Sequence, residues 1–211
     1  MSHLPDATSS ETAGAALVLV PVGSIEQHGP HLPLDTDTTI AVAVARAVAA
    51  ELPGTWVAPP LSYGSSGEHQ SFAGTASIGT DALTHVAVEL ARSLRTWADR
   101  VVFVNAHGGN LTALRASDEI EWVPCATEDV DLHAGFTETS LMLHLRPASV
   151  RLDRAEVGNT RPLREILPAM MAGGVGAVSP NGVLGDPAGA SAAEGERVLE
   201  AMVADVVGRL G

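Results

Sequence analysis

Four side chains that can bind a metal ion or transfer a proton occur in two short polar segments of the sequence. PVGSIEQHGPHLPLDTD contains Glu26, His28 and Asp37, and NAHGGN contains His107. Glu26 and His28 are two positions apart, so in extended backbone their side chains leave the same side of the chain. Carboxylates and imidazoles without a thiolate suit Zn²⁺, Mn²⁺ or Fe²⁺. The two segments therefore predict a site for a divalent ion if the fold brings them together.

Each polar segment follows an apolar run that is typical of a buried strand. Residues 16–23 read ALVLVPVG, and residues 100–110 begin with the β-branched run RVVFV. The carboxyl ends of parallel strands lie at one edge of a sheet, and binding sites gather there. We therefore expect His107 to face Glu26 and His28, although they are far apart in the chain.

The rest of the pattern predicts an α/β fold, a three-layer αβα sandwich with a mostly parallel sheet. Helices are predicted at 37–52, at 80–99 with Thr80 and Asp81 as caps, at 111–117, at 137–145 with a threonine cap, and at 192–210, and further strands at 56–64 and in EIEWVPC. The helix at 111–117 is short for a crossover. Residues 16–211 are expected to form a single domain after a flexible tail, 1–15. The Gly- and Pro-rich span 151–190 is expected to be a functional excursion from that domain.

The composition argues against several classes of partner. The formal charge is −13 and no Lys/Arg-rich run occurs, which disfavours nucleic acid and anionic membranes. No apolar stretch reaches the roughly 18 residues that span a bilayer, and MSHLPDATSSETAG lacks the basic-then-apolar order of a signal peptide. Cys125 is the one cysteine, so no intrachain disulfide can form. These features predict a cytoplasmic protein that binds a small molecule, a peptide or a metal.

A third polar segment, HAGFTETS, offers His133 and Glu138. With Glu26 and Asp37, Glu138 makes three carboxylates, whose charge nearly balances that of two divalent ions and leaves one positive charge for a hydroxide. This charge count is typical of a dinuclear hydrolase, in which two ions lower the pKa of a shared water and one polarises the scissile carbonyl. If His133 is not a ligand, it can transfer a proton to the leaving nitrogen.

Other polar side chains are assigned from their position in the pattern. A histidine in a loop or on a helix is more often exposed than functional, and this interpretation is given to His3, His31, His85 and His144. His69, in GSSGEHQSF, either lines a pocket or faces solvent. Ser66 and His69 are the candidates for substrate binding.

These segments resemble the creatininase (creatinine amidohydrolase) family over nearly the whole chain from about Ala16 onward. The most specific feature is E-x-H-G-x-H-L-P with a later Asp, and EHQSFAGT, VNAHGGN and HAGFTETS also match. The resemblance implies a creatininase-like fold, homo-oligomers that are often hexamers, and a two-metal site that hydrolyses C–N bonds of amides. It also implies two ligand sets that share a bridging aspartate, and one acid/base histidine: Glu26, Asp37 and His107; His28, Asp37 and Glu138; and His133.

The sequence departs from creatinine hydrolase itself in two places. That enzyme has a carboxylate two residues after the counterpart of His107, where this chain has Gly109, and its substrate-stacking tryptophan is absent from DVDL at 129–132. Creatinine is therefore not the expected substrate. LSYGSSGEHQSFAGTASIGT, HAGFTETSLML and AVSPNGVLGDP look most like the family's peptidases of the mycofactocin system.

That subfamily resemblance implies a peptidase that trims the C-terminal part of a modified precursor peptide. Two alternatives stay open. One is another amidohydrolase of the family, acting on a small cyclic amide or a formamide. The other is a metal-dependent binding protein without turnover.

Overall fold

A computed structural model of the chain describes residues 3–127 and 131–211. At its centre lies a four-stranded parallel sheet with the order β2-β1-β3-β4. The strands are β1 (Ala15–Val22), β2 (Thr55–Val57), β3 (Ala98–Asn105) and β4 (Trp122–Pro124). The two long strands, β1 and β3, are neighbours, and their pairing runs from Ala15↔Ala98 to Val22↔Asn105. The loops that follow β1 and β3 therefore leave the sheet side by side.

Helices cover both faces of this sheet. They are α1 (Thr36–Glu51), α2 (Thr80–Leu94), α3 (Leu111–Leu114), α4 (Phe136–Leu145), α5 (Leu163–Gly173) and α6 (Ala192–Leu210). Successive side chains of a strand point to opposite faces. On β1, Leu17 and Leu19 pack with residues of α1 and α6, while Val18 and Val20 pack with residues of α2. The predicted three-layer α/β architecture is confirmed.

The structure corrects several predicted boundaries. The second strand is three residues long rather than 56–64, because Pro59 and Pro60 have no N–H to donate to the sheet. Leu61 then returns to bridge Val22. The helix predicted at 80–99 ends at Leu94, and β3 begins at Ala98.

Two predicted caps are wrong. Gly79 rather than Thr80 or Asp81 is the N-cap of α2, and Gly135 is the N-cap of α4. At α4 the Thr137 N–H donates to Asp131 Oδ1 at 3.2 Å, so a side chain from outside the helix supplies the acceptor that an N-cap side chain would otherwise provide. The helix predicted at 111–117 is shorter still, with four residues, Leu111–Leu114.

The N-terminal segment is in contact with the rest of the chain where it is described. Leu4–Asp6 forms a 3₁₀ turn, and Leu4 packs against the core on the α2 side of the sheet. The domain boundary at residue 15 and the presence of a single domain remain predictions. Residues 1–2 are not among those that the structure describes. Every described helix is too short or too polar to cross a bilayer.

Candidate metal centre

The loop after β1 folds back so that its polar side chains surround one point. The Glu26 N–H donates to the Leu34 carbonyl at 3.1 Å, which closes the proline-rich loop and starts α1 beside it. Ser24 Oγ donates to Asp37 Oδ2 at 2.7 Å and fixes that carboxylate. A Cβ on Gly23 would overlap the backbone of Thr38, so only glycine permits this approach of strand end and helix start.

Asp37 lies between two histidines that come from neighbouring strand ends. Its Oδ1 is 3.1 Å from His28 Nε2, and its Oδ2 is 3.2 Å from His107 Nδ1. Glu26 Oε2 is 3.1 Å from His107 Nε2. Glu138 Oε2 completes the group at 3.9 Å from His28 Nε2. The structure therefore brings together all five side chains that the sequence offers as ligands.

The turn before α4 places Glu138. Ala134 has φ +53°, the one positive φ of a non-glycine residue among those described, and its N–H donates to Glu138 Oε2 at 2.6 Å. This strained turn carries His133 and Glu138 into the same pocket. Asp129 and Val130, part of the departure from creatinine hydrolase noted in the sequence, lie outside the described residues.

Three sets of donor atoms lie close enough to share an ion, with all atoms of a set within 4.8 Å of one another. They are Glu26, Asp37 and His107; His28, Asp37 and Glu138; and Glu26, His28 and His133. Asp37 is common to the first two sets. These are the same two sets that the family resemblance implies, and the third set adds His133 as an alternative donor.

The electrostatics of these side chains fit a bound cation. Glu26 is fully buried, and no hydrogen bond reaches either of its oxygens from the described residues. Burial raises its pKa to about 7, and burial likewise raises the pKa of Glu138 to about 7. Two imidazole nitrogens lie within 3.4 Å of Glu26, but without a hydrogen bond this buried carboxylate still costs free energy that a cation would recover. The donor set therefore suits a divalent metal ion.

The two histidines beside Asp37 hold protons where an ion would bind. Burial lowers the pKa of His28, but the charge and hydrogen bond of Asp37 outweigh it and raise the pKa to about 10. For His107 the charge of Glu26 and the hydrogen bond of Asp37 likewise outweigh burial and raise the pKa to about 9. The pKa of Asp37 is held well below its usual range, because His28 and His107 outweigh burial there.

A buried glutamine orders the other two histidines. His133 Nε2 lies 2.8 Å from the backbone carbonyl of Gln27 and must donate to it, so it does not accept from Gln27 Nε2, 3.1 Å away. The two amide protons of Gln27 Nε2 serve His69 Nδ1 at 2.8 Å and the Gly182 carbonyl at 3.0 Å. His69 Nε2 therefore carries a proton and faces Glu26 Oε1 at 3.4 Å, while His133 Nδ1 is unprotonated and faces the same oxygen at 3.8 Å.

Both of these histidines are neutral. Burial lowers the pKa of His69 to about 3, assisted by the charges of His107 and His28. Burial also lowers the pKa of His133 well below its usual range, assisted by the charge of His28. Each ring therefore keeps the single tautomer that Gln27 selects.

The two residues predicted to bind substrate, Ser66 and His69, differ in their position relative to the cavity above the metal donors. His69 is buried and lines the cavity above the metal donors, so the solvent-facing alternative is wrong. Ser66 is fully buried with Oγ 3.3 Å from His107 Nε2. A role for either in substrate binding stays a prediction.

The predicted exposure of one histidine, His31, is wrong. His31 was expected at the surface, but it is buried and its Nε2 lies 2.9 Å from Thr139 Oγ1 on α4. The loop after β1 is covered by α4, and nothing local in the sequence reveals this contact. His85 is exposed and His144 is half-buried, as expected, and His3 is also half-buried.

A cavity of about 410 Å³ opens above the donors. Its floor includes Glu26, Asp37 and His107, and its walls are apolar: Leu111, Leu132, Leu163, Leu167, Met170, Val175 and Leu184. Three of these wall residues, Leu132, Leu163 and Leu184, also line a second cavity of about 360 Å³. Much of the wall comes from α5, within the span 151–190. A larger hollow of about 660 Å³ beside α6 has none of the donors in its lining.

Two residues at the site were missed in the sequence. Gln27 and Glu68 both stand inside quoted motifs, next to His28 and His69. Their adjacency to candidate ligands was the available signal. A glutamine or a further glutamate does not indicate a functional site by its residue type alone, because its role depends on what it contacts in the fold.

A parallel α/β sandwich with clustered carboxylates and histidines at its carboxyl edge belongs to the class of α/β proteins with a candidate centre for divalent metal ions. The sequence model of the creatininase family, described as creatinine amidohydrolase, matches residues 3–210. The chain belongs to the creatininase family.

Relatives and solved structures agree with this assignment. A protein named mycofactocin precursor peptide peptidase from Mycobacterium tuberculosis is 53% identical over 228 residues, which cover 100% of this chain and 91% of the relative. A protein of the same name from Mycobacterium ulcerans is 51% identical over the same shares of the two chains. The structure titled "Creatininase Mn" has a TM-score of 0.80 and 27% identity, covering 100% of this chain and 98% of that one.

Proposed function

We propose that this chain is a dinuclear metal-dependent peptidase that removes the C-terminal part of the modified mycofactocin precursor peptide. As a creatininase-family protein it is a hydrolase acting on C–N bonds. The names of the relatives that are more than half identical support a peptide substrate. Relatives named creatinine amidohydrolase are more distant, at 29% identity for the protein of Pseudomonas putida.

The observation that carries the proposal is the shape of the cleft above the donors. The two cavities, of about 410 and 360 Å³, share Leu132, Leu163 and Leu184 in their linings and so lie side by side. An extended peptide advances about 3.3 Å per residue, so several residues of a peptide could occupy the two cavities, whereas a small cyclic amide would fill only the floor of the first. The apolar walls favour a segment with apolar side chains.

The chain's own residues have distinct tasks in this reaction. Two divalent ions, when bound, lower the pKa of a water molecule and polarise the carbonyl of the scissile amide. Asp37, ionised and shared by two donor sets, would hold both ions, with Glu26, His28, His107 and Glu138 as the other ligands. His133 Nδ1 is unprotonated and faces this centre, so it would accept a proton there and deliver it to the leaving nitrogen.

The nature and number of the ions are part of the proposal. Oxygen and nitrogen donors without sulfur suit Zn²⁺, Mn²⁺ or Fe²⁺. The titles of two similar creatininase structures name Mn and a Zn-Zn type. We also propose a single cytoplasmic domain after residue 15 and a homo-oligomer, by family resemblance a hexamer.

Mass spectrometry of the modified precursor peptide after incubation with the metal-loaded protein tests the function. We expect a released C-terminal fragment, no release after chelation, and none with His133→Ala. Intact peptide with rapid hydrolysis of a formamide or a small cyclic amide would contradict the peptidase and support the other amidohydrolase. Tight binding of the peptide without any hydrolysis would support a binding protein.

A further inference from the structure

One carboxylate at the site has no task in the mechanism above. Glu68 belongs to a 3₁₀ turn, Gly67–His69, and its side chain lines the cavity with about a third of its surface exposed. Its Oε1 lies 3.7 Å from His107 Nε2, which is the polar contact of this carboxylate among the described residues. Glu68 thus points at the same imidazole that contacts Glu26 and Asp37.

Gly109 makes this approach possible. A Cβ at position 109 would overlap Glu68 Oε1, the Ser65 carbonyl and His107 Nε2. These three atoms close over the Cα of Gly109, so the space that a side chain would fill at this position is taken by Glu68. The loop that carries Glu68 therefore delivers a carboxylate to the space beside Gly109.

The charge count gives this placement a purpose. Glu26, Asp37 and Glu138 carry three negative charges when ionised, one fewer than the positive charge of two divalent ions. An ionised Glu68 adds a negative charge close to His107 and so increases the attraction for an ion bound there. Both oxygens of the fully buried Glu26 lack a hydrogen-bond partner among the described residues, which independently indicates that a cation binds beside His107.

Glu68 faces Nε2 of His107, and the hydrogen bond that Nε2 makes orients the ring. His107 Nε2 lies 3.1 Å from the Ser65 carbonyl, to which it donates, and its Nδ1 faces Asp37. A metal-binding histidine commonly donates its other N–H to a carbonyl or carboxylate, and such partners fix the ring and raise its basicity.

We propose that Glu68 is a positioning residue of the metal centre, a fourth carboxylate that acts through His107 Nε2 and strengthens binding of the ion held by Glu26, Asp37 and His107. This inference rests on the proposed metal centre but not on the identity of the substrate. It assigns Glu68 an electrostatic task that Gly109 makes sterically possible.

Titration of the metal-free full-length protein with Mn²⁺ or Zn²⁺ in competition with a chelator tests the proposal without any substrate. We expect Glu68→Gln to weaken the affinity for the ion by roughly 10–100-fold, the usual effect of removing such a partner. Glu196→Gln, which removes the same charge from an exposed position on α6, is the matched control and should leave the affinity unchanged. Glu68→Asp should retain more affinity than Glu68→Gln, because it keeps the charge.

A spectroscopic readout separates electrostatics from damage to the fold. The visible absorption bands of the Co²⁺-loaded protein should shift in Glu68→Gln and not in Glu196→Gln, with unchanged circular dichroism in both. Affinity of Glu68→Gln within twofold of the parent, or Glu68→Asp no better than Glu68→Gln, would overturn the role of Glu68 and leave the peptidase intact. A parent protein that binds no divalent ion would overturn the metal centre itself.

Discussion

His133 donates its Nε2 proton to the backbone carbonyl of Gln27 at 2.8 Å, and this hydrogen bond decides which nitrogen of the ring faces the metal donors. A carbonyl can only accept, so Nε2 is the protonated nitrogen and Nδ1 is free. His133 Nδ1 lies 3.8 Å from Glu26 Oε1 and 4.0 Å from Glu138 Oε2. Nδ1 is therefore the atom available for proton transfer.

Replacing His133 separates proton transfer from metal binding. His133→Ala should lower the rate of peptide hydrolysis by roughly 10²–10⁴-fold, the usual contribution of a general acid or base. It should keep both ions, because the two donor sets that share Asp37 do not include His133. Turnover is measured by mass spectrometry and metal content by plasma emission spectrometry. The control is His144→Ala, half-buried on α4. Loss of an ion together with activity would assign His133 to the ligands.

Asp37 should be required for both ions. Because two donor sets share this carboxylate, Asp37→Ala should lower the metal content from two ions per chain to fewer than one. Asp35→Ala is the matched control, since Asp35 is two positions away but pairs with Arg146 at the surface. One ion that persists at full occupancy in Asp37→Ala would show that the aspartate does not bridge.

The affinity for metal should rise with pH. His28 and His107 have pKa values raised to about 10 and about 9 by Asp37 and Glu26, and both must lose a proton before an ion binds. We expect affinity to increase from about pH 7 to about pH 9, by up to tenfold per pH unit for each proton displaced. Calorimetry in buffers of different ionisation enthalpy measures the protons released. Affinity independent of pH in this range would contradict the two raised pKa values.

The same histidines make the stability of the metal-free protein depend on pH. Their folded-state pKa values lie above the ordinary 6.5, so their contribution is complete below that pH and is lost as pH rises through about 9 to about 10. The melting temperature of the chelated protein should therefore fall between about pH 7 and about pH 10. Scanning calorimetry with and without Zn²⁺ checks this, because the metal-loaded protein should not show the same decrease.

A substitution at Gly23 should lower both the stability of the fold and the affinity for metal. Gly23→Ala would push the backbone of Thr38 and hence the first turn of α1, which carries Asp37, and overpacking of this kind costs about 1–3 kcal/mol. We expect lower stability in urea together with weaker metal binding. Gly208→Ala is the control, because the added Cβ meets nothing within 4 Å apart from its chain neighbours and the backbone of its own helix, and an exposed helix should gain about 0.5–1 kcal/mol. Equal effects at the two positions would contradict the steric argument.

The wall of the cleft should distinguish a peptide from a small amide. Leu163 lines both cavities and is 41% exposed. Leu163→Ala should raise KM for the peptide by roughly tenfold, the cost of about 1.4 kcal/mol of lost apolar contact. Leu152→Ala, outside both cavities and 50% exposed, should not change KM. An unchanged KM in Leu163→Ala would place the peptide elsewhere.

The sequence predicted those parts of the fold that are encoded by continuous patterns. The apolar runs of β1 and β3 and the amphipathic repeat of α6 were located to within two residues or better, because burial on both faces or on one helix stripe leaves a local signature. The convergence of Glu26 and His107 followed from parallel strands sharing an edge. The predicted length of β2 is too great, because the prediction followed the apolar composition of residues 56–64 and gave too little weight to the two prolines within it.

Contacts between distant segments could not be predicted. Burial of His31 depends on Thr139, which is 108 positions away, and the reach of Glu68 depends on a glycine in another loop. The tautomer of His133 depends on a carbonyl 106 positions before it. Such relationships arise only once the helices are packed, and no local period or motif encodes them.

The donors of the candidate centre are spread along the chain from Glu26 to Glu138, and three separate segments must be in place before they converge. A polypeptide leaving the ribosome cannot complete this site until α4 has been synthesised and packed against α1. The set Glu26, Asp37 and His107 is present in the chain earlier, so the order of synthesis would favour an ion there before one held by His28, Asp37 and Glu138.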